Sequence, residues 1–324
     1  MNKALSISRI ESLYRAVLRI RRVEEAIAER YAAQEMRCPV HLSIGQEAVA
    51  AGVCAALTQQ DGVFSNHRAH AHYLAKGGDL KAMLAEIYGK AEGCCKGVGG
   101  SMHMIDLAAG FLGAVPIVGA TVPLAVGAAW AARLCGEDKV ITVFLGDGTF
   151  EEGAVYEAIN FAALHRLPVL FVCENNLYAR YTRLSTRQPE RPIHAVAAAC
   201  GCKVMTADGN DALAVFEAAS SAVAGLRAGG GHPVFLECAT YRWREHCGPN
   251  IDDDLGYRPM VEVAEWKAAC PVSRLAAMLN ALSGHQEFMA DAERGITEEI
   301  DAAFAAALVG GIPQQADLAG YLYA

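Results

Sequence analysis

The sequence contains no Cys-x-x-Cys pair, no stripe of Lys or Arg, no internal repeat and no signal peptide at its start. Its 11 cysteines include Cys94-Cys95 in succession and Cys200 and Cys202 one residue apart, spacings that do not form a structural zinc site. Reduced thiols in a cytoplasmic protein are therefore expected. A net charge of −8 and an isoelectric point near 5.7 exclude the basic footprint of a nucleic-acid-binding protein. The lack of a repeat argues against an array and for one doubly wound α/β domain, which 324 residues can build.

Charge is also missing locally, because residues 107–132 hold no ionisable acid or base. That run is long enough to cross a bilayer. Gly110, Gly113, Pro116, Gly119, Pro123 and Gly127 interrupt it, and a charged segment follows. It reads instead as a glycine-rich cofactor loop feeding a buried helix over 123–134, with no membrane association. Hydrophobic residues nevertheless make up 53% of the chain and mean hydropathy is +0.19. Either the core is large or much surface is covered by partners.

The most informative segment lies between residues 140 and 176. A strand-like run, 140–145, ends in Gly146-Asp147-Gly148, and a second, 169–173, ends in Glu174-Asn175-Asn176. Between them residues 151–166 form an amphipathic stretch closed by Pro168. A strand–helix–strand unit makes the two strands parallel neighbours. Asp147 and the Asn pair then sit together at the carboxyl ends of the strands, where open α/β sheets bind ligands. A carboxylate and an amide oxygen beside a glycine turn that opens a helix suit a Mg²⁺-bridged diphosphate.

Elsewhere the pattern predicts an amphipathic helix over 5–36 with apolar positions at Leu13, Val17, Ile20, Val23 and Ile27, and a second helix over 41–57. A turn and short strand follow at 61–66, a helix over 68–88 broken at Gly77-Gly78, and loop from 89 to 113. Strands at 202–206 and 233–238 flank a helix over 211–228, and helices from 261 to the Phe304 region close the chain. The polar stretches 179–192 and 241–258 read as mobile loops that order on ligand binding. Residues 1–324 are expected to form a single cofactor-binding domain, with an N-terminal helical extension to about residue 40 and a C-terminal helical segment from about residue 260.

The two strand-end motifs resemble the Gly-Asp-Gly…Asn-Asn signature of thiamine-diphosphate enzymes. From Leu13 to Pro259 the chain is similar to the α subunit of the thiamine-dependent first component of 2-oxo acid dehydrogenase complexes of the pyruvate, acetoin and branched-chain type. The resemblance is carried by His41-Leu42-Ser43-Ile44-Gly45-Gln46-Glu47-Ala48, by Gly89 and Gly93, by Lys96-Gly97-Val98-Gly99-Gly100-Ser101-Met102-His103, and by Ile117-Val118-Gly119-Ala120. It implies a thiamine-diphosphate-binding fold with a mostly parallel sheet. It also implies a metal set of Asp147, Asn176 and the Tyr178 carbonyl around Mg²⁺. The implied cofactor-binding set is His67, Arg68, Val118, Gly146, Asp147, Gly148, Thr149, Asn176 and Tyr178, with Arg68 on the diphosphate and the Val118 backbone at the aminopyrimidine. His246 is implied as the histidine facing the reacting centre, and His41 as a residue near the substrate and phosphate. His70 is a third catalytic candidate and could equally be a hydrogen-bonded structural residue.

Some positions depart from the family pattern. His67 stands where many members have Tyr, and Pro116 where many have Gly. The later loop lacks the phosphorylatable His-Gly-His-Ser pattern, so no regulation by phosphorylation is expected there. The resemblance implies a β subunit that supplies the pyrimidine-side glutamate, in an α2β2 heterotetramer, and a chain that is inactive alone. The implied reaction is decarboxylation of a 2-oxo acid, or cleavage of acetoin, with acyl transfer to a lipoyl-bearing acyltransferase or another carrier protein. A transketolase-type two-carbon ketol transfer by an α/β pair uses the same site and is the alternative.

Overall fold

The apolar stripe at Leu13, Val17, Ile20, Val23 and Ile27 lies on one face of helix α1 (Lys3–Arg30) and is wholly buried. The computed structural model describes residues 3–229, 231–282, 284–315 and 320. Residues 1–2 and most of the chain beyond 315, which fall inside the expected domain bounds, lie outside the described residues. Helix α2 (Glu47–Cys54) is buried at every position. Strand β1 (Gly62–Ser65) follows, then α3 (His70–Lys76) and α4 (Leu80–Ile87), separated at Gly77-Gly78. Asp79 caps α4 by accepting from the Ala82 amide. Next come β2 (Phe111–Ala114), α5 (Thr121–Leu134), β3 (Ile141–Gly146), α6 (Gly153–Leu164) and β4 (Val169–Asn175).

After β4 the chain makes a two-stranded hairpin, β5 (Tyr178–Ala179) with β6 (Thr182–Arg183), and a single helical turn, α7 (Leu184–Arg187). Then follow α8 (Ile193–Ala199), β7 (Lys203–Asp208), α9 (Ala212–Arg227), capped by Asp211, and β8 (Val234–Ala239). Helices α10 (Met260–Ala268), α11 (Pro271–Asn280) and α12 (Gln286–Val309) complete the described elements.

Six strands form one parallel sheet in the order β2-β1-β3-β4-β8-β7. Alternation along each strand sends side chains to two separate cores. Ile141, Val143 and Leu145 of β3 and Val169, Phe171 and Cys173 of β4 meet α5, α6 and α8. Phe144, Leu170 and Val172 meet α1, α2 and α9 on the opposite face. A sheet covered on both faces requires continuously apolar strands, which explains why 140–145 and 169–173 read as unbroken runs. The doubly wound α/β class expected from the sequence is the observed fold.

The structure corrects several boundaries. The helix expected over 41–57 is shorter because His41 forms a bridge with Gly248 and the turn at Gly45 delays its start. The loop expected over 89–113 ends in β2, an edge strand too short to show alternation. Helix α5 is not buried throughout, since Leu124 and Leu134 are 52% and 71% exposed. The segment 241–258, which reads as a polar loop, has an apolar anchor: Tyr241 stacks on Trp266 and packs with Tyr178 and Val263. Buried Arg258 also pairs with Asp252 and Asp253 there.

The Lys96–His103 motif folds around one side chain. Glu86 of α4, 1% exposed, accepts from the amides of Cys95 and Gly97 at 2.7 and 2.9 Å on one oxygen, and of Gly99 and Gly100 at 2.7 and 2.9 Å on the other. Gly93 is required because a Cβ would lie 2.3 Å from a Glu86 oxygen. Glu86→Gln would turn an acceptor into a donor facing two amides. Its expected cost is about 2–3 kcal/mol, measured by denaturant unfolding, with faster amide exchange confined to residues 93–101. Unchanged exchange in that loop would show that the carboxylate does not hold it.

Candidate functional site

Strands β3 and β4 pair in parallel with Leu145 opposite Cys173 and Gly146 opposite Glu174. Their carboxyl ends are therefore level, and Asp147 and Asn176 emerge at one edge of the sheet. A cavity of about 440 Å³ opens there. It is lined from the ends of five strands: Asn66, His67 and Arg68 after β1, Pro116 and Val118 after β2, and Gly146 to Thr149 with Glu151 and Glu152 after β3. Glu174, Asn176, Tyr178, Ala179 and Arg180 contribute from β4 and beyond it, and His246 from the segment after β8. His41, Gln46 and Met102 close the cavity from outside the sheet. Loops at the carboxyl ends of parallel strands are where this architecture places ligands. Gly148 must lack a side chain, because a Cβ would come within 2.9 Å of that of Ala179.

One side of the cavity is acidic. Buried Asp147 and exposed Glu151 both accept from the Arg187 guanidinium of α7. Burial pushes the Asp147 carboxyl above the ordinary carboxylate range, and Arg187 opposes that rise. Asn176 donates through Nδ2 to Gln46 Oε1 at 3.0 Å, and its Oδ1 accepts from the Tyr178 amide at 3.2 Å. The Tyr178 hydroxyl reaches Glu262 at 2.7 Å and fixes the start of the β5–β6 hairpin.

The other side is a histidine cluster. The rings of His41, His67 and His246 lie 4.8 to 5.3 Å apart, centre to centre. Arg68 donates to the carbonyls of Leu42 and His246, so one guanidinium ties β1's loop to two others. Burial and the nearby Arg68 push His41 down to about 2, and His67 and His246 down to about 3. Arg68 itself falls to about 9, chiefly through burial and secondarily through Arg242. The ring nitrogens lie close enough to share a metal ion, but the adjacent arginines favour an anion or a carbonyl oxygen. A neutral imidazole offers one donor and one acceptor, and buried His41 Nδ1 has no partner within the protein.

Of the residues singled out in the sequence, His41, His67, Arg68, Val118, Gly146, Asp147, Gly148, Thr149, Asn176, Tyr178 and His246 all line this cavity. His70 does not. It is fully buried, with Nε2 on Ser101 Oγ at 2.7 Å and Nδ1 on Glu24 at 3.4 Å, so it joins α3 to α1 and to the glycine-rich loop. Arg68, expected at the diphosphate, lines the cavity while donating to two backbone carbonyls. Sequence reasoning missed Gln46, Met102, Glu174 and Arg187. The first three stand inside motifs already read, whereas Arg187 lies 40 residues from Asp147 and carries no local signal.

The depressed histidines make a pH prediction. Their unfolded pKa is near 6.5 and their folded values are near 2 to 3, so below about 6.5 the unfolded chain binds more protons. Their contribution to stability is complete above that pH and is lost as pH falls toward 3. The urea midpoint should therefore drop between pH 7 and pH 5, and the drop should shrink in His67→Gln. An equal drop in the variant would mean that His67 is not held neutral.

The sequence matches a known protein family and several of its members. The model of the dehydrogenase E1 component family matches residues 15–314. The α subunit of acetoin:2,6-dichlorophenolindophenol oxidoreductase from Bacillus subtilis is 46% identical over 71% of this chain and 69% of its own length. The pyruvate dehydrogenase E1 component α subunit of Zymomonas mobilis is 42% identical over 78% of this chain and 71% of its own. That of Rickettsia typhi is 34% identical over 96% and 94%. Together with the motifs at the strand ends, these matches establish that the chain belongs to the dehydrogenase E1 component family, as an α subunit of its thiamine-diphosphate-dependent kind.

Proposed function

We propose that this chain binds Mg²⁺–thiamine diphosphate in the strand-end cavity and, with a β-type subunit, acts on a short 2-oxo acid or on acetoin. The acyl fragment passes to a lipoyl-bearing acyltransferase or similar carrier. The observation that carries the reading is the level ending of β3 and β4, which puts Asp147 and Asn176 on one cavity with Val118 and Arg68. The donor set fits the cofactor. Asp147 supplies a buried anionic oxygen, and Asn176 and the Tyr178 carbonyl are the neutral oxygens beside it, a hard set suited to Mg²⁺. Gly146 has nothing within 4 Å of its missing Cβ, leaving its backbone open to a close approach.

When bound, the cofactor supplies carbanion stabilisation, and the protein supplies position and field. Asp147 offsets the charge of the cation, while Arg68 and Arg180 face the cavity with positive charge for phosphate oxygens. His41, His67 and His246, held neutral, can hydrogen-bond the carbonyl or hydroxyl oxygens of a substrate without adding charge. The exposed side chain of Val118 lines this cavity and exposed Ile117 is its chain neighbour, as expected of a site completed by another chain. The relatives' names as α subunits support a β partner.

Two outcomes test the reading. Asp147→Ala, in the chain complexed with its β partner, should weaken thiamine diphosphate binding well over tenfold, about 2 kcal/mol or more, by calorimetry. Unchanged affinity would remove Asp147 from the metal site. The purified chain alone should show no turnover with pyruvate or acetoin, and co-production with the β subunit should restore it in an α2β2 assembly. Decarboxylation by the lone chain would place the missing carboxylate within it.

A further inference from the structure

Arg187, a cation paired with the acidic side of the cavity, is assigned by neither the sequence motifs nor the family resemblance. Its guanidinium bonds Asp147 through Nη2 and Glu151 through Nη1. It also lies against the glycine turn, since a Cβ on Gly148 would come within 3.6 Å of Nη1. Arg187 ends α7, a single turn reached through the β5–β6 hairpin, and its Nε donates to the Thr182 carbonyl at 3.1 Å. The side chain is therefore held at the same carboxylate and the same turn that a cation-bridged diphosphate would use.

We propose that Arg187 is a two-position residue: it neutralises Asp147 and Glu151 before loading, and it exchanges those carboxylates for the cofactor's diphosphate once a divalent cation takes Asp147. The inference rests on the cofactor reading above. A guanidinium on one Asp147 oxygen and a divalent cation on the same carboxylate repel strongly across a buried site. Entry of the cation thus releases the guanidinium. A planar fork that matches a carboxylate also matches phosphate oxygens, so the released group has a new partner beside the turn it already touches. Because the group never leaves the turn, the exchange needs a side-chain reorientation rather than unfolding of the hairpin.

The proposal requires opposite effects from one substitution. Arg187→Met should bind Mn²⁺ alone about tenfold more tightly than wild type, followed by the paramagnetic resonance signal of the free ion, because the competing charge is gone. In the α–β complex at saturating Mg²⁺, the same variant should bind thiamine diphosphate about tenfold more weakly by calorimetry, because a phosphate partner is lost. Arg187→Lys, which keeps the charge but not the fork, should leave Mn²⁺ affinity near wild type and still weaken the diphosphate. Equal Mn²⁺ affinity in wild type and Arg187→Met would overturn the competition, and equal cofactor affinity would overturn the exchange. Melting of both variants within a few degrees of wild type shows that each comparison is made on folded protein, and the Lys variant supplies the test should the Met variant not fold. Failure of wild-type complex to bind thiamine diphosphate at all would instead overturn the cofactor reading together with this one.

Discussion

Six consecutive pairings between Ile141–Gly146 and Val169 to Glu174 keep β3 in parallel register with β4 along its whole length. Everything at the site depends on that alignment. A slip of one residue would turn every β3 side chain to the opposite face, burying Asp147 in one core or moving Asn176 out of reach. The register is held by burial on both sides: odd-numbered residues of both strands enter the core with α5 and α6, even-numbered ones the core with α1, α2 and α9. The apolar layers therefore specify where the polar strand ends stop.

The cavity divides its charge. Acidic groups cluster at the ends of β3 and β4, while neutral histidines and buried arginines come from the loops after β1 and β8 and, for His41, from the segment before α2. The division has a structural cause. Asp147 and Glu151 follow the carboxyl end of β3, where Arg187 pairs with both, whereas Arg68 is anchored by two carbonyls and spreads its charge over the histidines. Arg68 thus acts on the imidazoles without touching their ring nitrogens. A site built this way can hold a polyanion through one wall and a neutral oxygen function through the other.

Much of this was legible in the sequence, for identifiable reasons. Apolar runs ending in Gly146-Asp147-Gly148 and Glu174-Asn175-Asn176 fix both strand type and strand end, because a parallel sheet needs continuous apolar strands and short turns. The stripe on α1 was equally plain. What stayed hidden depends on distant partners. His70 looks like its cavity-lining neighbour His67 in the sequence, and only the positions of Glu24 and Ser101 show that its ring is satisfied inside the fold. The stacking of Tyr241 on Trp266 gives the polar segment 241–258 an apolar anchor that no local pattern announces. Arg187 reaches Asp147 across a hairpin whose strands are two residues each, too short for any periodicity to reveal.

The carboxylate of Glu86 bears on the order in which the chain assembles. Its four amide partners lie only 9 to 14 residues downstream, so the loop they close is small. Closing so short a segment loses little chain entropy, and local contacts of this kind form early. Once α4 exists, the Glu86 side chain can gather the glycine-rich segment without waiting for the sheet. Strand β2, which follows that segment, is then delivered to the edge of β1 by a connection already shaped. The long glycine-rich stretch, which on composition alone ought to be the slowest part of the chain to organise, becomes a preassembled piece of the nucleus.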